Sequence, residues 1–168
     1  MQKKLEKLTE YLNNELNYYN SLMNYSKEKN KNLIDKNLDE ISIITQKEEK
    51  LVSKIKEVEV QRINLLKQIA EENKIDFNEL NMSKISELSA DKKTKKKIIE
   101  LKESLSDTLE NLRKINDMNT ELIKQSLDII NQTIKIMGTT AANPQVYNKN
   151  KKDHVSKNQQ SFLFDKKF

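Results

Sequence analysis

The chain has no cysteine, no tryptophan, one histidine, one glycine and one proline among its 168 residues. Without cysteine there is no disulfide framework, no thiolate zinc site and no thiol nucleophile. A single glycine cannot build a glycine-rich phosphate loop. A single histidine cannot supply the Glu-x-x-His pairs that di-iron helical bundles place on two helices. That residue, His154, sits in a polar, lysine-bearing stretch near the C-terminus and is read as an ordinary solvated side chain. Long apolar runs are missing too: no stretch approaches the roughly 20 residues needed to cross a bilayer. Met1 to Leu12 alternates Lys and Glu with Leu and lacks the apolar run of a secretory leader. The expectation is a soluble cytoplasmic protein that is not an enzyme and holds no metal or cofactor.

Arginine is scarce as well, with only Arg62 and Arg113. The net charge of +5 is local: residues 138–168 carry six lysines against Asp153 and Asp165, so +4 belongs there and +1 to the rest. A nucleic-acid surface spreads arginine-rich basic charge along a folded element, so no nucleic-acid partner is expected. Lys92, Lys93, Lys95, Lys96 and Lys97 form the densest basic run, at a predicted helix start where the dipole disfavours cations. Two readings stand: a contact for an acidic partner or a membrane surface, or a solvated face in a lysine-rich chain.

What the chain has in quantity is helical periodicity. Leu5, Leu8, Leu12, Leu16, Tyr19 and Met23 step by three and four, predicting a helix over 3–29. Asn30, Lys31 and Asn32 offer capping amides for a short turn. Ile34, Leu38, Ile41, Ile44, Leu51, Ile55, Val58, Leu65 and Ile69 predict a second helix over 33–74, with Glu48 and Arg62 at seam positions. Residues 75–90 lose the register and read as a connector with one short helix, Phe77, Leu80, Ile85 and Leu88 packing over a helix end. Leu101 through Met137 predict a third long helix over 91–137, stopped by Gly138. The fold class is therefore all-α: an elongated antiparallel bundle or coiled-coil hairpin of three long helices, residues 1–137, followed by a disordered basic and aromatic tail, 138–168. A first helix shorter than the other two leaves part of the bundle two helices thick, which exposes an apolar groove for a partner.

The groove candidates lie on the third helix: Leu105, Leu109, Leu112, Asn116, Asn119, Ile123, Leu127, Ile130 and Ile134. Asn116 and Asn119 have two readings, since a buried amide needs a partner: they set helix register by bonding a neighbouring helix, with Arg62 as one candidate, or they hold the backbone of a bound peptide. In the tail, Phe162, Leu163, Phe164 and Phe168 are large apolar groups amid lysines. They fold back on the body, remain disordered, or anchor a partner.

The pattern resembles the FlgN-type flagellar export chaperones. The resemblance rests on Glu48-Glu49-Lys50-Leu51, on Glu59-Val60-Gln61-Arg62-Ile63-Asn64-Leu65-Leu66, on Asn116-Asp117-Met118-Asn119-Thr120-Glu121-Leu122-Ile123 and on Tyr147-Asn148, in that order and spacing. It implies a small helical chaperone that binds the terminal segment of hook-associated (hook–filament junction) proteins, prevents their premature assembly and docks on the export gate. Tyr147 matches a family tyrosine that takes part in docking, with Phe162, Leu163 and Phe164 as further tail contacts. Where the family commonly has a glycine shortly after this tyrosine, Asn148-Lys149-Asn150 follow here. Two other readings share the helices: a self-associating structural coiled coil, and a membrane-surface adaptor using the aromatic and basic tail.

Overall fold

Four α-helices account for most of the computed structural model, which describes residues 1–141, with side-chain surroundings given as far as residue 138. They are α1 (Gln2–Ile34), α2 (Leu38–Asn73), α3 (Met82–Glu87) and α4 (Lys92–Ala141), with a 3-10 turn at Phe77–Glu79. No strand occurs among the described residues. The chain divides into two units, Met1–Ile129 and Ile130–Phe168.

In the first unit each long helix buries a seam repeating every three and four residues, as coiled-coil packing requires. Leu5, Leu8, Leu12, Glu15, Leu22 and Ser26 are the buried residues of α1, and Ile44, Leu51, Ile55, Leu65 and Ile69 follow the same rule on α2. The α4 seam runs through Thr94, Ile98, Leu101, Thr108, Leu112 and Asn119. Two apolar clusters result. One joins Leu5, Leu8 and Leu12 to Leu66, Ile69, Ile85, Ile98 and Leu101; the other joins Leu22 to Leu51, Ile55 and Leu112.

Polar bonds fix the pairing. Lys4 meets Glu72 and Glu15 meets Arg62, so α1 and α2 are antiparallel. Gln2 meets Thr94 and Asn30 meets Asn119, so α1 and α4 are parallel. The connector behaves as the sequence predicts at Ile85, which is fully buried, with Leu80 and Leu88 packed against the same cluster. Phe77 is the exception, largely exposed with Lys67 Nζ 5.9 Å from its ring centre.

Three sequence expectations are corrected. Asn30, Lys31 and Asn32 do not form the first turn; α1 continues to Ile34 and is 33 residues long against 36 for α2. The first helix thus matches its neighbour in length, and no two-helix section arises from its shortness. Gly138 does not stop α4, which runs to Ala141 without a positive φ at the glycine. The remaining expectations for the tail, including disorder and the roles of Tyr147, Phe162, Leu163 and Phe164, lie outside the described residues.

The stops that do occur use lysine. At the end of α1, Lys36 has φ 57°, its N–H donates to Leu33 O, and Asn37 N–H donates to Asn32 O. At the end of α2, Lys74 has φ 55°, with matching bonds from Lys74 to Glu71 and from Ile75 to Ala70. Both are Schellman closures, in which glycine is the usual left-handed residue. A side chain strains that conformation, and both lysines are exposed or nearly so. Replacing Lys36 or Lys74 with Gly should therefore stabilise the chain by about 0.5–1 kcal/mol each, raising the melting midpoint by a few degrees in a thermal scan.

Candidate functional site

The nine groove residues on α4 separate into two sets. Leu112 and Asn119 face the interior: Leu112 is packed among Leu22, Leu51 and Ile55, and Asn119 is buried. Leu105 is half-buried against the first cluster. Leu109, Asn116, Ile123 and Leu127 are exposed in the first unit, and Ile130 and Ile134 are exposed in the second. The spacing of Ile123, Leu127, Ile130, Ile134 and Met137 is an uninterrupted four-three repeat. Such spacing is that of a coiled-coil seam; Leu127, in the first unit, is 54% exposed and Ile134, in the second, 62%.

Periodicity located these residues but not the side they face. In α4 the inner seam and the outer stripe both recur every three and four residues, displaced from one another around the helix. Sequence spacing alone therefore merged Leu112 and Asn119 with the outward set.

The seam carries two polar layers. In the first, Arg62 Nε donates to Glu15 Oε1 at 2.7 Å, with Glu59 3.9 Å from the guanidinium. Glu15 is only 4% exposed, and burial pushes its carboxyl above the usual value while Arg62 draws it back in part. Burial, with the Glu15 carboxylate beside it, raises the Tyr19 hydroxyl too. Glu15, Arg62, Tyr19, Leu105 and Leu109 are among the residues lining an open groove of about 450 Å³. In the second layer, Asn119 Nδ2 donates to Ser26 O at 2.9 Å and Asn119 Oδ1 accepts from Asn30 at 2.8 Å. Ser26 Oγ donates to Glu48, which also pairs with Lys29.

Asn119 is thus a register-setting amide whose partners come from α1; Arg62 pairs with Glu15. Asn116 is exposed. The pairing of Glu15 with Arg62 and of Ser26 with Glu48 was not visible in the sequence, although both α2 partners stood out as charged residues on an apolar seam.

Elsewhere, Lys92, Lys93, Lys95, Lys96 and Lys97 are all exposed, and Lys96 pairs with Glu100 at 3.5 Å. The helix they open is capped by Asp91, which accepts from Thr94 Oγ1, Thr94 N and Lys93 N. Those bonds hold its carboxyl below the usual range. Among the described residues, no group of three or more His, Cys, Asp and Glu is placed to hold a metal ion. No helix among them is long and apolar enough to cross a membrane. The arrangement offers surface and charge for binding another chain.

Comparison with known families gives a match over nearly the whole length: the family described as FlgN protein covers residues 1–154. The chain belongs to the FlgN family. Neither the curated proteins nor the solved structures give a match. FlgN membership carries the general role of a flagellar export chaperone. The family match contains the Glu15–Arg62 layer, the Asn119 layer and the whole outer stripe of α4, and it extends past Tyr147.

Proposed function

We propose that this FlgN-family chain acts in the cytoplasm on hook-associated flagellar proteins, holding a terminal amphipathic helix of the client and preventing assembly before export. The observation that carries this is the outward stripe of α4, in which Ile123, Leu127, Ile130 and Ile134 are exposed at coiled-coil spacing. An unassembled junction protein presents the complementary helix, and helix-in-groove recognition uses anchors at this spacing. Four anchors at about 1.5–3 kcal/mol each gross roughly 6–12 kcal/mol. Association and ordering take back much of that, leaving micromolar to sub-micromolar affinity.

Delivery to the export gate is assigned to the tail, with Tyr147 first and Phe162, Leu163 and Phe164 as further contacts. Light scattering of a purified hook-associated protein, with and without one equivalent of the full chain, tests the client role. Suppressed polymerisation is the expected result; an unchanged polymerisation rate would contradict it. Tyr147→Ala should weaken binding to the gate's cytoplasmic domain and leave client suppression intact.

A further inference from the structure

We infer that the lysine ridge at the start of α4, formed by Lys92, Lys93, Lys95, Lys96 and Lys97, is a docking surface for an anionic lipid bilayer, on which the folded chain sits peripherally and reversibly. The inference goes beyond the client role and does not depend on it.

The ridge is one surface by helix geometry. Its five side chains fall within about 7.5 Å of helix axis and sweep about 200° of arc. All five are exposed. Thr94 and Ile98, which share the same turns, are buried and fix the ridge to the core. Lys92, Lys95, Lys96 and the exposed Ile99 stand three, four and seven residues on from the first and so share a face.

These charges are costly where they stand. Further along, α4 sets opposite charges four residues apart, as in Lys96 with Glu100 and Glu110 with Lys114. At its start the pairs four apart are Lys92 with Lys96 and Lys93 with Lys97, like charges that destabilise a helix, at the end where the dipole disfavours cations. Residues 91–100 set only Asp91 and Glu100 against the five lysines, a net +3. Asp91 already accepts from the backbone of Lys93 and Thr94, so the ridge is a surface of ammonium groups and not of free backbone N–H groups. Among the described residues, Lys92, Lys93, Lys95 and Lys97 form no salt bridge. A local rule broken without an internal compensation is the mark of a functional surface.

The chemistry of the ridge selects the occupant. It has no arginine, whose planar fork reads individual carboxylates and phosphates, and lysine acts as a point charge. No aromatic side chain is interleaved to stack on bases, as single-stranded nucleic acid requires. A second copy offers no matching acidic run, since Asp and Glu never exceed two in succession, as at Glu48-Glu49 and Glu71-Glu72. A convex arc of lysines, without walls to seat a peptide, fits a diffuse planar polyanion. Clusters of this size on a helix bind acidic leaflets, each lysine adding about fivefold, and Ile99 supplies an apolar contact at the headgroup level.

The test sediments the full chain with vesicles of phosphatidylcholine alone or of equal parts phosphatidylcholine and phosphatidylglycerol. Binding should require phosphatidylglycerol and weaken as salt is raised. Glutamine at all five ridge positions (Lys92→Gln, Lys93→Gln, Lys95→Gln, Lys96→Gln and Lys97→Gln) should lower the affinity by at least about tenfold. The same change should leave the melting midpoint unchanged or higher, because it relieves the dipole. A control with the same net charge, carrying Lys27→Gln, Lys31→Gln, Lys50→Gln, Lys54→Gln and Lys56→Gln at exposed positions, should bind as the parent does. Undiminished binding by the ridge variant would place the lipid contact elsewhere in the chain and overturn the inference. So would an equal loss in the control, or a parent that binds neither vesicle or both alike. If polyglutamate at the same charge concentration displaces the parent from the vesicles, the ridge fits an acidic polypeptide in place of a bilayer, and the inference falls.

Discussion

Leu112→Asp should cost the chain about 4–6 kcal/mol, a large share of its stability that lowers its melting midpoint steeply, while Ile123→Asp on the same helix melts close to the parent. Leu112 is 6% exposed and packed against Leu22, Leu51 and Ile55. Its replacement forfeits about 2–3 kcal/mol of apolar burial and strands a carboxylate with no cation beside it, costing several kcal/mol more. A domain of this size is stable by only about 5–15 kcal/mol. Ile123 is substantially exposed, so its carboxylate stays hydrated and its effect falls on client binding. Lys95→Ala, on a solvated face, should stay within about 0.5 kcal/mol. Helical circular dichroism followed with temperature separates the three. Equal melting of the Leu112 and Ile123 variants would mean that the inner and outer faces of α4 are wrongly assigned.

Arg62→Ala should destabilise the chain by about 3 kcal/mol at pH 7, because it leaves the buried Glu15 carboxylate without its cation. The low end of the range for buried pairs applies, since the arginine side chain is itself 23% exposed. The pH dependence has a definite sign. Burial already holds Glu15 above its ordinary value of 4.5, and Arg62 works in the opposite direction. A carboxyl raised on folding binds more protons in the folded state between its unfolded and folded pKa values, so its contribution to stability falls as pH rises through that window. Without Arg62 the folded value rises further and the window widens upward. The deficit of the variant should therefore be largest at neutral pH and shrink on acidification toward the ordinary carboxylate range. Urea melts of parent and variant from pH 7 to pH 5 would show this; a deficit constant with pH would mean that Glu15 is not the group left unpaired.

The sequence was legible wherever apolar spacing spoke. The second helix, the short connector helix and the start of the third follow from Ile44 to Ile69, from Ile85 and from Leu101 onward. The turns were less legible because the signals sought were glycine and asparagine. This chain places its only glycine inside a helix and closes α1 and α2 with Lys36 and Lys74 in the left-handed conformation. The hydrogen bonds of those closures are backbone bonds, so side-chain identity scarcely announces them.

Ile34 and Leu38 show a different limit. Both fit the apolar repeat, yet they border a turn at the hairpin tip, where that repeat no longer has a neighbour to bury it. Glu15 and Ser26 show the converse. They are polar residues on an apolar seam, and their partners, Arg62 and Glu48, lie in another helix at a register that only the fold supplies.

The central claim is that the outward stripe of α4 holds a client helix, and the most direct test is the affinity of the full chain for peptides spanning the terminal amphipathic helices of a hook-associated protein, before and after Leu127→Ser with Ile134→Ser. Both positions are exposed, so the variant should melt as the parent does. Micromolar or tighter binding is predicted for the parent, falling by about tenfold or more in the variant. Undiminished affinity in a fully folded variant would contradict the claim.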